Sequence, residues 1–406
     1  MSDLSQFGVS GLPIGAIIQA PYPPALPGWQ RCDGRVVARS AYPLFAATYT
    51  GSGPITYTVR SHSIGGANQT AFACADAANF IITGCNGDQV PFEVTPDGVT
   101  VTRATGWISY GFAGAIISTG ARFVMASSVG DAIIPMVTPA NQSAAMTAAK
   151  ANWVTTTGVA ANVIGGAGCL AYGLGQVIGL LQGAGTLVYS LPDGSNAWTA
   201  KNAPSHAYSQ ATFDGKYFWL TNTDAKGVVT RYDGTSFVDV QLPALYQTGT
   251  ASGIASDGNG TIILIAAASP QIGVQVGYGL IVSKDNGASW GVVEVPLVEN
   301  GLNASWTNVN CANGLFKLIS SIGADVRYSR DAVAWNTSGG IGAGVMSGGG
   351  FAYKSGIYVD VASAASSVTQ FITCVEDVTK MVFPRTTRLP TGGGSNVGWQ
   401  EWIKVI

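Results

Sequence analysis

Acid–base chemistry needs titratable side chains that share a cleft, and this chain of 406 residues holds few of them. The glutamates are Glu93, Glu294, Glu299, Glu376 and Glu401. Cleaving a glycosidic bond takes two carboxylates about 5 to 9.5 Å apart. Glu294 alternates within "GVVEVPL" and is expected on the solvent side of an outer strand, while most aspartates stand in Asp-Gly turns that already account for them. His62 and His206 stand alone, with no G-x-S-x-G stretch near either, so a nucleophilic triad is not expected. The cysteines Cys32, Cys74, Cys85, Cys169, Cys311 and Cys374 lie far apart without a C-x-x-C pair, which argues against zinc and for reduced, buried thiols. A Cys74 to Cys85 bridge is the alternative. Glycine runs such as "GGAG" and "GGG" lack the following lysine of a phosphate loop. The expectation is a chain that is no enzyme, with no catalytic residue, no cofactor and no metal.

The elements that would position any site follow from composition. Charged residues are 10% of the chain, against a usual share of about 25%, and 54 residues are glycine. That balance disfavours solvated helices and favours many short strands joined by glycine turns. A net charge of -2 supplies no positive field for phosphate backbones or anionic membranes, so no nucleic acid partner is expected. The first residues include Asp3 and lack an apolar stretch, so they do not read as a secretory signal. The uncharged region "VIGGAGCLAYGLGQVIGLLQGAGTLVY" is interrupted by glycines, Gln176 and Gln182 before it reaches the length of a membrane span. Buried strands are expected there instead, and no membrane insertion.

One turn recurs. "SKDNGASW" at Ser283 to Trp290 has relatives in "TPDGVTV" ending at Val101, "LPDGSNAW" at Trp198, "YDGTSF" at Phe237 and "SRDAVAW" at Trp335. Weaker copies end at Trp153 and Phe383. A spacing of about 45 residues is that of four-stranded propeller blades. From Ser209 the chain reads as "SQATF", a tight "DGK" turn, "YFWLTN", a "TDAKG" loop, "VVTRY", a "DGTS" turn and "FVDVQL", an antiparallel meander. The recurring turn then joins the third strand of a blade to the fourth, and Trp290 packs between sheets. The pattern S-x-D-x-G-x-x-W, carried by Ser283, Asp285, Gly287 and Trp290 and in degenerate form by Asp331 and Trp335, resembles the Asp-box of sialidase-like propellers. Its expected role is structural. The fold class expected is all-β: a seven-bladed β-propeller with its first blade starting near Thr56, or six blades with a poorly patterned piece outside the ring.

The ends carry a second resemblance. "LPIGAIIQAPYPPALPGWQRCDGRVVARSAYPLFAATYTG" looks like the opening of the phage tail-collar domain, a module of tail fibres and baseplate proteins. The matching residues are Pro13, Gly15, Pro27, Gly28, Trp29, Cys32, Asp33, Gly34, Arg39, Ser40, Tyr42, Pro43, Leu44 and Phe45, with a structural role expected for each. The family's closing "LPD-x-RG" segment is absent after Gly53, but "RTTRLPTGGGSNVGWQEWIKVI" supplies a Leu389-Pro390 step and a last strand. The arrangement implied is a split collar-like domain, residues 1–55 and 385–406, with the propeller of residues 56–384 inserted in it. Meeting ends of a ring suit insertion into a loop. With a clean run from inner first strand to outer last strand, both junctions share one face and the Asp-box turns point away from the collar.

The resemblance implies a bacteriophage virion protein, a tail fibre or baseplate receptor-binding protein made in the host cytoplasm and displayed at the tail tip, as a homotrimer among other tail proteins. Its partner would be a host pilus protein or surface polysaccharide. A structural baseplate part and a glycan-cleaving depolymerase are the alternatives. Against the latter, the Arg-Ile-Pro stretch of sialidases is missing, and Arg327 and Arg330 beside an Asp-box are expected as turn or surface groups. Tyr246, Tyr278, Trp306 and Tyr353 are the candidate receptor contacts, as aromatics placed at loops.

Overall fold

Two-residue turns set the pitch of the regular sheets. Leu174–Gly175, Asn313–Gly314 and Ser355–Gly356 each place both residues at positive φ, the hairpin geometry whose twist matches that of the flanking strands. Each joins an inner strand to the next one out: Leu170–Gly173 to Gln176–Leu180, Trp306–Ala312 to Leu315–Ser320, and Gly350–Lys354 to Ile357–Ala362. The structure, a computed structural model, describes residues 17–20, 29–31, 36–48, 52–62, 72–83, 92–103, 113–129, 132–133, 136–137, 154–159, 168–180, 187–247, 249–266, 279–293, 306–320, 326–333, 335–337, 350–362, 369–382 and 400–404.

The strands form a β-propeller. Six four-stranded antiparallel blades span residues 72–103, 170–201, 208–241, 251–293, 306–337 and 350–376, the last with a strand borrowed from the N-terminal side. An irregular sheet of residues 113–155 stands between the first two of these, and its first strand, Ala113–Ser118, touches the inner strands Phe72–Ala75 and Leu170–Gly173 on either side. The ring therefore has seven places, six regular and one irregular, which are numbered here first to seventh in chain order. The fourth runs Tyr208–Phe213, Phe218–Asn222, Val228–Tyr232, Phe237–Gln241, matching the strands read from its sequence. The uncharged region likewise yields Leu170–Gly173, Gln176–Leu180 and Val188–Pro192, with Val177, Ile178, Leu180, Val188 and Leu191 wholly buried. Among the described residues no helix is long and apolar enough to cross a membrane.

Ring closure departs from the sequence reading. Ile55–His62, expected to open the first blade, is instead the outermost strand of the seventh sheet, paired with Thr369–Glu376 from Thr369↔His62 to Glu376↔Ile55. The first blade starts at Phe72. This exchange also reverses the expected orientation of the ends. Third strands finish at the face that carries the turns after strands one and three, so Glu376 and Ile55 both lie there, on the same face as the Asp-box turns. Close by, Val36–Ala38 pairs with Lys380–Val382. Ile17–Ala20 and Trp29–Arg31 flank Gln400–Lys404 in a three-stranded sheet built from both ends of the chain. The Asp-box turns thus share the face of the terminal segments. The connections between strands two and three, and from one sheet to the next, belong to the opposite face.

The core is a series of inter-sheet layers. Between the fourth and fifth sheets, Trp219, Val229, Leu242, Tyr246, Ile254, Leu264 and Ile281 form one cluster, against which Trp290 packs. Trp219 and Trp290 meet edge to face with centroids 5.5 Å apart, which places the Asp-box tryptophan between sheets as expected. The thiol of Cys74 is free and buried, so the alternative bridge to Cys85 does not form; Cys169, Cys311 and Cys374 are also free. Burial pushes the Cys169 thiol up to about 12, the behaviour of an inert core cysteine.

Candidate binding site

The Asp-box of the fifth sheet is a closed hydrogen-bond unit. Ser283 Oγ donates to Asp285 Oδ1 at 2.8 Å and accepts from the Gly287 N–H at 2.8 Å, while Ser289 donates to Asp285 through both its N–H (2.8 Å) and its hydroxyl (2.6 Å). Gly287 stands at φ 75°, and a Cβ there would lie 2.2 Å from the Trp219 ring, so glycine is required both by conformation and by the tryptophan of the next sheet. The copy in the sixth sheet repeats the pattern: Ser329 Oγ donates to Asp331 Oδ1 at 3.0 Å, Val333 N–H donates to the same oxygen at 2.9 Å, and Trp335 Nε1 donates to Ala332 O at 3.3 Å. In both boxes the serine and aspartate side chains bond within their own turn, which is a structural role.

The Asp285 carboxylate is held ionised. The hydroxyl and N–H of Ser289, then Ser283, lower Asp285 from 3.8 to about 2, and Lys380 and Thr379 bring Asp377 to about 2. Backbone N–H groups likewise lower Asp97 and Asp233. A depressed folded value means that the stabilisation is present above the ordinary carboxylate range and is lost as pH falls through the folded value. The expected result is a urea midpoint that declines between about pH 4 and pH 2, with Asp285→Asn flattening part of that slope. An equal slope in the variant would remove Asp285 from the account.

The candidate receptor contacts separate. Tyr246 and Trp306 are 2% and 5% exposed, so the reading of these two as surface contacts is corrected. Tyr246 sits in the layer between the fourth and fifth sheets, and Trp306 in that between the fifth and sixth. Burial raises the Tyr246 phenol. Inter-sheet packing claims such aromatics because large rings fill the wedge between adjacent blades. Tyr353 is half-buried against Tyr358, with centroids 4.7 Å apart, and Tyr278 lies outside the described residues. Of the terminal motif, Pro13, Gly15, Gly28, Asp33 and Gly34 also lie outside them, and Trp29 is described in its backbone, in the strand paired with Gln400–Lys404. Tyr42 is half-buried; Pro43 opens the helix Pro43–Thr48, where the missing N–H of proline costs nothing. Leu44 is exposed and Phe45 buried.

Of the two arginines beside the Asp-box, Arg327 differs from its sequence reading and Arg330 stands at the turn as expected. Arg327 is 3% exposed within a strand, not a surface group. Arg330 reaches from the Asp-box to the ring closure: Nε donates to both Glu376 oxygens at 3.1 Å, Nη2 donates to Glu376 Oε2 at 2.5 Å and to Tyr358 Oη at 2.9 Å, and Nη1 donates to Asn313 O at 3.0 Å. Glu376 also accepts from the Gly53 N–H at 2.8 Å, where the N-terminal segment enters. Partial burial opposes the Arg330 charge, but Glu376 and Tyr358 more than offset it and raise its pKa. His206, read as solitary, contacts Asp239 at 2.9 Å through Nε2. Its neighbour Tyr208 donates to Pro204 O, so the group ties a loop to the fourth sheet.

The inner strands of the third to sixth sheets enclose a cavity of about 190 Å³, lined by Gln210, Thr212, Ser256, Asn308 and Asn310 beside Leu170, Ile254, Val309 and Cys311. It is smaller than the roughly 300–1,000 Å³ of ordinary ligand pockets. Three of its amides are already engaged: Gln210 Oε1 accepts from Ile254 N–H at 3.2 Å, and Asn310 Nδ2 donates to Asn308 Oδ1 at 3.4 Å. None of its described lining residues is Asp, Glu or His, so these residues offer hydrogen bonds to neutral groups and no general acid or base. Among the described residues no cluster of three or more His, Cys, Asp or Glu suits a metal.

No protein-family model matches this chain, and neither does any curated protein. Solved structures do. Human WBSCR16 is 8% identical over 76% of this chain and 87% of its own, with a TM-score of 0.49. YCF48 from Cyanidioschyzon merolae is 13% identical over 62% and 79%, with a TM-score of 0.42. A catalytically inactive virginiamycin B lyase from Staphylococcus aureus, solved with quinupristin, is 8% identical over 78% of this chain and 99% of its own, with a TM-score of 0.55. At that identity the likeness to the lyase concerns architecture alone, and by architecture the chain is a β-propeller.

Proposed function

We propose that this chain is a receptor-binding protein of a bacteriophage tail fibre or baseplate, in which segments 1–55 and 385–406 form a collar-like mount and the propeller of 56–384 attaches the virion to a host pilus or surface glycan. The observation that carries the reading is the joint placement of the two ends. They pair with each other in one sheet, and they leave the propeller at a single face. A ring held this way turns its opposite face outward, the face where second strands end and third strands begin. Loops on a rigid scaffold are where recognition residues concentrate. The dense tail-collar resemblance between Pro13 and Phe45 supports the same reading, and exposed Leu44 and Val378 offer apolar contacts for neighbouring tail subunits or for a homotrimer. Trimeric display would convert weak single contacts into firm attachment.

Binding of the purified chain to intact host cells, and to cells lacking pili or surface polysaccharide, tests the reading, with released sugar assayed in the supernatant. Saturable binding lost with one surface structure and without released sugar is the expected result. Absence of binding to every cell type would leave a structural baseplate part, and released sugar would make the protein a depolymerase.

A further inference from the structure

Lys317 and Asp360 are both wholly buried, on the second strands of the sixth and seventh sheets, with Lys317 Nζ against Asp360 Oδ1. Their surroundings are apolar and aromatic. Lys317 lies 5.1 Å from the centre of the Phe351 ring, which stacks on Tyr358 at 5.3 Å; Tyr328 is the cross-strand neighbour of Lys317, and Phe351 that of Asp360. A buried ion pair persists only when its remaining polar atoms are also satisfied. Here Asp360 Oδ2 is buried with no hydrogen-bond partner. Beyond their mutual contact, Lys317 has the face of Phe351 and Asp360 the Val361 N–H, so as a salt bridge this pair is poorly supported where it spans the two sheets.

We propose that Lys317 and Asp360 condense to a side-chain amide that joins the sixth and seventh sheets covalently. Proton transfer within the contact turns ammonium and carboxylate into neutral amine and carboxylic acid, the forms that burial favours. Burial raises the Asp360 carboxyl in this direction, with Lys317 opposing it. Nζ then attacks Cγ, the new N–C bond forms, and the bond from Cγ to one carboxyl oxygen breaks. That oxygen leaves as water, carrying the acid proton and one proton from the nitrogen. No oxidant, reductant or other reactant enters. Holding the two groups in contact removes the entropic part of the barrier, and a dry site disfavours the reverse hydrolysis. The product replaces two buried charges and an orphaned oxygen by one amide. It also ties the last two sheets together beside the strand exchange that closes the ring.

Intact mass of the full chain, measured under denaturing conditions, decides the matter. The expected wild-type mass is one water below that of its sequence, with a branched peptide joining the segments around Lys317 and Asp360 and no tryptic cleavage after Lys317. Lys317→Arg keeps a cation but cannot form this amide, and its mass is expected to equal its sequence. Two results overturn the proposal: a wild-type chain that keeps its full sequence mass after prolonged incubation, or a water loss that persists in Lys317→Arg, which would assign it to an imide at an Asp-Gly turn.

Discussion

Arg330→Ala is expected to destabilise the folded chain by about 3 kcal/mol, the lower end of the range for removing one partner of a buried pair. Glu376 is 4% exposed in its side chain, while Arg330 is 30% exposed, which admits some water to the vacated site and keeps the effect off the upper end. Without Arg330 the carboxylate retains only the Gly53 N–H among the contacts described above. The loss is local in origin but global in consequence, because Glu376 ends the strand that pairs with Ile55–His62. Hydrogen exchange in 55–62 should accelerate more than in the fourth sheet, since opening of the borrowed strand becomes the easiest partial unfolding. Arg330→Ala combined with Glu376→Gln removes the stranded charge and keeps an acceptor for Gly53, so it should recover much of the loss. A double variant no more stable than the single one would show that lost packing dominates over the carboxylate.

Trp219→Ala is the second large effect, about 3–5 kcal/mol, as for other fully buried large aromatics. The ring is wholly buried, meets Trp290 edge to face, and underlies the Asp-box glycine. Its Nε1 donates to Asp214 Oδ2 at 2.7 Å, and Asp214 is itself buried and organises the adjoining turn through the N–H groups of Lys216 and Tyr217. Trp219→Phe keeps a ring in the layer and removes that donor and the outer indole carbons beneath Gly287, so it should cost less than Trp219→Ala. Equal losses from both substitutions, read as chemical-denaturation midpoints, would assign the effect to the Asp214 bond and not to the layer between sheets.

Much of the regular architecture was legible because its signals are local. The strands of 208–241 follow alternating side chains and Asp-Gly turns, and the serine and aspartate bonds of the Asp-box at 283–290 close within its own eight residues. The two-residue turns at Leu174–Gly175 and Ser355–Gly356 were less visible, since leucine and serine are not the residues that ordinarily announce positive φ. The irregular sheet at 113–155 lacks a regular third and fourth strand among its described residues, as its weak sequence pattern foreshadowed. Among the described residues no set of acids and bases shares one cleft. The polar cavity of the inner strands has no sequence signal at all, because Gln210, Ser256 and Asn308 belong to three different repeats.

The sequence by itself determined the all-β class, the period of about 45 residues, the place of the Asp-box turns and the burial of the uncharged strands, all set by contacts between near neighbours. Only the tertiary structure decided which strand closes the ring, which face the two ends share, that Tyr246 and Trp306 are core residues, that Arg330 reaches Glu376, and that Lys317 meets Asp360. Each of these depends on a pairing between separate sheets. Side-chain alternation tells a strand which of its faces is apolar, but it does not tell it which neighbour will cover that face.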